Sequence, residues 1–100
     1  MDTSVVDVPE RERYEVSVGG ELAGFVQYRV EPGVIAFVHT EIESGHEGKG
    51  LGGTLVKHAL DDARRRQLRV RPFCPFVRGY IAKHSDDYAD LVDDRERFEL

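Results

Sequence analysis

Apolar and polar positions alternate through the first half of the chain and then change period. "YEVSV" (residues 14–18) and "ELAGFVQYRV" (21–30) repeat every two residues, as half-buried strands do. Gly19-Gly20 between them is a two-residue hairpin signal, because glycine tolerates positive φ. In the second segment Leu22, Val26, Tyr28 and Val30 fall on one face, and Phe25, Gln27 and Arg29 on the other. Pro32 and Gly33 stand where a type II turn wants them. "VIAFVHTEI" (34–42) alternates throughout. Strict alternation groups Ile35, Phe37, His39 and Glu41 on one face, and Val34, Ala36, Val38, Thr40 and Ile42 on the other.

Beyond residue 50 the period becomes helical. Leu51, Leu55, Ala59 and Ala63 recur every four residues beside Val56 and Leu60, which predicts an amphipathic helix over 51–66. Arg64, Arg65 and Arg66 in its last turn complement the helix dipole. "LRVRPF" (68–73) reads as a short strand. Pro75 suits the first turn of a second helix, striped by Val77, Tyr80, Ile81 and His84. "SDDYADLV" (85–92) predicts a last helical turn capped by Ser85. Residues 1–12, polar and broken by Pro9, are expected to be flexible; 13–92 form the domain, and 93–100 a charged tail. The elements add up to a mixed α/β (α+β) fold. In it a four-stranded, largely antiparallel sheet packs on two main helices. The long helix makes a right-handed crossover from the third strand to a parallel fourth.

Composition narrows the functional classes. One hundred residues with 40% apolar and 33% charged content describe one soluble globular domain. The net charge of −5 disfavours nucleic acid as a partner and favours cationic ones. No apolar run approaches the ~18 residues of a membrane span, and the first residues do not resemble a secretory signal. A single cysteine rules out an intramolecular disulfide framework and a multi-cysteine zinc site, and no acid or histidine cluster has metal-ligand spacing. A cytoplasmic setting follows as the expectation.

The segment "HTEIESGHEGKGLGGTLVKHAL" (39–60) holds five glycines between a strand and a helix. A P-loop would need Gly-Lys-Ser/Thr after four spacers, and Gly45 leads instead to Gly50-Leu51-Gly52. Gly48 to Gly53 fits the dinucleotide pattern G-x-G-x-x-G, but a nicotinamide site expects an acid about 20 residues on. Here that region is Arg69, Val70, Arg71, Pro72 and Phe73. The remaining reading is a pyrophosphate held by main-chain N–H groups at a helix start, with Lys49 adding charge. Acyl-coenzyme A supplies such a group. Glycines before a helix can also serve loop geometry alone.

Glu47-Gly48-Lys49-Gly50-Leu51-Gly52 resembles motif A of the GCN5-related N-acetyltransferases, (Gln/Arg)-x-x-Gly-x-(Gly/Ala), with Glu47 in place of the usual Gln or Arg. "HTEI", "EGKGLGGTLVKHALDDAR" and "CPFVRGYIAKH" together resemble the small, single-domain branch of that superfamily, over residues 39–92. That branch lacks the first helices of larger members and carries a cysteine ahead of the last helix. The resemblance implies acetyl-coenzyme A (acetyl-CoA) as cosubstrate. Glu47, Gly48, Lys49, Gly50, Leu51, Gly52, Gly53 and Thr54 would hold it at the loop, with Tyr80 and Lys83 from the following helix.

Three residues are candidates for the chemistry. Cys74 lies between a strand end and a helix start, where free N–H groups favour a thiolate, and it matches the branch's cysteine. Arg71 and Arg78 would add positive potential. Alone, Cys74 is equally a small buried hydrophobe. Glu41 or His39, on the strand before the loop, would accept a proton from an ammonium substrate or from Cys74. Tyr80 is a lesser candidate: the resemblance implies a tyrosine of this helix that protonates the departing thiolate, but its stripe position fits core packing better. The implied acceptor is an amine-containing small molecule or a lysine-bearing peptide or protein. The alternatives are a non-catalytic CoA or acyl-CoA sensor, and an interaction module.

Overall fold

The computed structural model describes residues 2–93. Of the charged segment 93–100, residues 94–100 lie outside the described residues. The chain folds as strands β1 (Thr3–Val8), β2 (Arg13–Val18), β3 (Glu21–Glu31), β4 (Val34–Ile42) and β5 (Arg69–Pro72). The helices are α1 (Leu51–Arg65), α2 (Pro75–Lys83) and a short α3 (Ser85–Tyr88). The sheet runs β1-β2-β3-β4-β5. Its first four strands are antiparallel, and β4–β5 is parallel, joined through α1.

The sheet therefore has five strands, not four. Thr3–Val8 pairs along its whole length with β2. Asp7 helps hold this edge strand: its carboxylate accepts the Tyr28 hydroxyl and lies 3.7 Å from Arg66 of the α1 terminus. Gly19 and Gly20, with φ of 57° and 84°, make the β2–β3 hairpin as expected. Pro32 and Gly33, the latter at φ 74°, make the β3–β4 turn.

The core gathers the apolar side of the sheet and of both main helices into one cluster. Tyr14, Val26, Tyr28, Ile35 and Phe37 meet Leu55, Val56, Leu60, Val77 and Ile81 there. Each large apolar side chain buried this way stabilises the fold by about 1.5–3 kcal/mol. At the other end of α1, the buried Asp62 accepts the hydroxyl of the fully buried Tyr14 and is paired with Arg65 and Arg66. Ser85 is the first residue of α3 and makes no side-chain cap; His84 occupies the cap position.

Two β-bulges overturn the face assignments that strict alternation predicts. Between β2 and β3 the pairs Val16–Gly24 and Ser17–Leu22 leave Ala23 as the extra residue. Ala23 is buried, and Leu22 turns outward to 36% exposure. Val30, near the far end of β3, is also exposed. Between β3 and β4 the pairs Gln27–His39 and Tyr28–Phe37 leave Val38 over. Phe37 stays in the core, but His39 and Glu41 now lie on the opposite face and are exposed. Thr40 and Ile42 take the inward positions instead.

Candidate functional site

The site is built where β4 outruns its neighbour. The parallel ladder stops at Phe37–Pro72, and Cys74 N–H closes it with a bond to the Phe37 carbonyl at 2.9 Å. The chain then turns into α2, while β4 continues through residues 38–42. A slot is left between the end of β4 and the start of α2. Thr40 and Ile42 face it from the strand.

At the mouth of the slot the glycine loop turns into α1. Gly48 and Gly50 adopt φ of 79° and 73°, with open space where a Cβ would stand. Gly50 is the N-cap of α1; no side chain caps the helix, and its first turn carries no acid. The N–H groups of Leu51, Gly52 and Gly53 therefore have no intrahelical acceptor. In front of them is a cleft of about 300 Å³, lined by Thr40, Ile42, His46, Glu47, the glycines, Leu51 and Phe76. This geometry suits an anion: free donors, a positive dipole end, and no competing carboxylate on the helix. Gly52 has a different task. A Cβ there would meet the Phe76 ring at 2.7 Å, so this glycine lets α2 approach α1.

The candidate residues separate into four groups. Glu47, Gly48, Gly50, Leu51, Gly52 and Gly53 line the loop cleft. Lys49 is exposed on the same loop, and the Thr54 hydroxyl donates to the Gly50 carbonyl at 3.2 Å. Tyr80 and Lys83 line a neighbouring cleft on α2. Cys74 is 3% exposed, with its Sγ 3.2 Å from Thr40 Oγ1. The guanidinium groups meant to surround it are occupied elsewhere: Arg71 reaches Glu31 and Asp93, and Arg78 donates to the Pro72 carbonyl.

His39 and Glu41 form the fourth group, on the sheet face away from the helices. His39 Nε2 lies 3.3 Å from Glu41 Oε1, and both side chains are about half exposed (56% and 54%). Phe25 flanks His39 at 6.0 Å between ring centroids and carries the Arg13 guanidinium 4.3 Å from its own centroid.

Sequence reasoning missed Thr40, Ile42, His46 and Phe76. Thr40 is hidden by the bulge, and Phe76 lies off the stripe that the sequence assigns to α2. His46 reads as a surface loop residue, yet its side chain is only 14% exposed and lies 3.6 Å from Glu21. The alternating strand pattern held no signal for these residues.

A groove of about 740 Å³ along 85–90 and the outer face of α1 lies apart from this chemistry. Four of its charges pair with one another: Lys57 with Asp61 at 3.0 Å, and Arg64 with Asp90 at 2.9 Å. Burial opposes ionisation of Asp61, but bonds from Tyr88 and Lys57 outweigh it and hold the carboxyl below its ordinary pKa.

A sheet with a parallel crossover, a cleft at the crossover helix and a glycine turn at its start define a mixed α+β domain whose exposed helix start suits an anion. The family model described as GCN5-related N-acetyl-transferase matches residues 13–91, and the chain belongs to that family. Streptothricin acetyltransferase from Streptomyces lavendulae is 39% identical over 62 residues, 60% of this chain and 33% of that protein. The chain thus spans about a third of that curated relative. A GCN5-like protein from Staphylococcus aureus superposes with a TM-score of 0.65 at 21% identity, over 90% of this chain and 87% of that one. A ribosomal-protein-alanine N-acetyltransferase from Brucella melitensis biovar Abortus 2308 gives a TM-score of 0.52 at 26% identity, over 60% and 45%. The five-stranded mixed α+β architecture is that of the family fold. No helix among the described residues is long and apolar enough to cross a membrane.

Proposed function

We propose that the chain is an acetyl-CoA-dependent N-acetyltransferase acting on a cationic amine. One observation carries the reading: the uncapped start of a 15-residue helix, behind a left-handed glycine turn, faces a cleft that opens into the β4–α2 slot. The N–H groups of Leu51, Gly52 and Gly53 suit the diphosphate of the cosubstrate, with Lys49 nearby. The slot suits its narrow thioester arm, which would reach toward Thr40. Transfer forms an N–C bond to the amine and breaks the C–S bond of the thioester, and the CoA thiol leaves with a proton.

The bulge in β4 supports direct transfer. It leaves the helix side of the strand to the cosubstrate and turns His39 and Glu41 to the other side, where an ammonium would arrive. Glu41, or His39 bonded to it, takes the proton that makes the amine nucleophilic. Net charge of −5 favours a cationic acceptor.

In the covalent route the Cys74 thiolate would attack first, giving an S-acetyl cysteine that the amine then cleaves. Its sulfur is 3% exposed and occupied by Thr40, which weighs against this. The test is rapid-quench intact mass with acetyl-CoA, alongside Cys74→Ala. We expect no adduct at Cys74 and a variant retaining at least about a third of the wild-type rate, a change under ~0.7 kcal/mol in barrier. An acetyl adduct, together with loss of turnover in the variant, would establish the covalent route. Acceptors to screen are polyamines, lysine-rich peptides and streptothricin. CoA binding with no transfer to any of them would make the domain a sensor, and absence of CoA binding would leave an interaction module.

A further inference from the structure

The sheet face away from the helices carries a row of charges that neither the core nor the loop cleft uses. On β3 the side chains of Phe25, Gln27 and Arg29 alternate onto this face, while Val26 and Tyr28 enter the core. The β3–β4 register sets Glu41 opposite Phe25, His39 opposite Gln27, and Ala36 opposite Arg29. Three successive rungs thus hold a carboxylate, an imidazole and a guanidinium in line along the strands. Each step is two residues of β3, about 7 Å, so the Glu41 and Arg29 rungs lie about 13 Å apart.

Arg29 is the anomaly on this face. Its neighbours are ion-paired: Arg13 with Glu15 at 2.8 Å, and Arg71 with Asp93 at 2.9 Å and Glu31 at 3.3 Å. Glu31 is the nearest acid to Arg29 along β3 and shares its face, yet it reaches across the sheet to Arg71. Arg29 is exposed, and among the described residues it has no carboxylate partner. Ala36 stands between Arg29 and Arg71 in the ladder and is only 8% exposed, so it floors a low place between two arginines. A free guanidinium beside such a floor suits a carboxylate, which it can take by two parallel hydrogen bonds.

We propose that Arg29 selects the acceptor, and that the acceptor is a small amine with a carboxylate at its other end, of the diamino-acid class. This rests on the reading of His39 and Glu41 as the pair that takes the proton from the amine. The distal ammonium lies at His39 and Glu41, the chain runs along β3 past Gln27, and the carboxylate lies on Arg29 over Ala36. Opposite charges at the two ends of one row admit such a molecule in one direction only, with its distal amine toward the thioester.

Rates of CoA release by the full chain, with acetyl-CoA saturating, are compared for L-lysine, L-lysinamide and 1,5-diaminopentane. The three share the reacting amine and differ in the carboxylate. Wild type should favour L-lysine over both others by about 3- to 5-fold in kcat/KM, the size of one exposed ion pair. The product should carry the acetyl group on the distal nitrogen. Arg29→Gln should bring the three values together, the loss falling on the KM for L-lysine, and Arg29→Glu should place L-lysine last. No advantage for L-lysine in wild type, an advantage that survives in Arg29→Gln, or acetylation of the α-nitrogen would each overturn the assignment and leave acetyl transfer standing. So would acetylation of a lysine-rich peptide with none of the three small amines used. If wild type acetylates no amine at all, the transferase reading itself falls and takes this selection with it.

Discussion

Gly50→Val is expected to lower CoA affinity about 100-fold or more, some 2.7 kcal/mol, while the chain stays folded. Gly50 caps α1 at φ 73°, a conformation that a β-branched residue adopts only with strain. To escape it, the loop must turn its peptide planes, and the free N–H groups of the first helical turn then lose their common aim. The new side chain would also stand in the open space above the turn, where a diphosphate would lie. The control is Gly33→Val, which puts the same strain (φ 74°) into the distant β3–β4 turn. That variant should lose stability and keep CoA affinity. Unchanged binding by Gly50→Val would mean that the anion is held somewhere else.

Tyr14→Phe should cost about 1–3 kcal/mol of stability, or a fall in melting temperature of several degrees. The Tyr14 ring is fully buried, and its hydroxyl donates to Asp62, itself only 7% exposed. Removing the hydroxyl leaves a buried carboxylate oxygen short of a donor. The burial of this ring creates an alkaline signature. Burial first, and then the nearby Asp7 charge, push the Tyr14 phenol from 10.0 up to about 12. Tyr28 is raised as well, by burial and by its bond to Asp7. A phenol whose pKa is higher in the folded state stabilises the fold fully below its unfolded pKa. That contribution fades as pH rises through the folded value. Wild-type stability should therefore fall between about pH 10 and 12, by about 2–3 kcal/mol for Tyr14 alone. Urea midpoints across that range should fall less in the variant, with Tyr28 responsible for the remainder. An identical alkaline loss in both proteins would remove Tyr14 from the account.

Much of this architecture was readable from the chain, because its periods are clean. The four-residue repeat from Leu51 to Ala63 marked α1 to within one residue, and Gly19-Gly20 and Pro32-Gly33 marked both hairpin turns. What escaped has identifiable physical causes. Thr3–Val8 carries three valines inside an otherwise polar terminus; it is held by its ladder and by Asp7, a long-range contact that no local pattern reports. The bulges at Ala23 and Val38 are invisible to an alternation rule, since the rule assumes one residue per pleat. One unseen extra residue was enough to send His39 and Glu41 to the wrong face and to hide Thr40. The glycines were legible as a group but not individually: Gly50 serves the turn, and Gly52 serves helix packing.

The extra residue at Val38 makes β4 a strand of two phases. Upstream of it the odd-numbered side chains enter the core; downstream the even-numbered ones do. Deleting that single residue would restore uniform pleating and leave the last four positions on their present sides, whereas regular pleating with Val38 kept would turn them inside out. In that second arrangement His39 and Glu41 would crowd toward the helices, and Thr40 would leave the cysteine it covers. Unchanged labelling of the Cys74 thiol in the deletion variant would register the preserved phase. The side on which each reactant would meet β4 is thus set by its pairing with β3 and not by residue count.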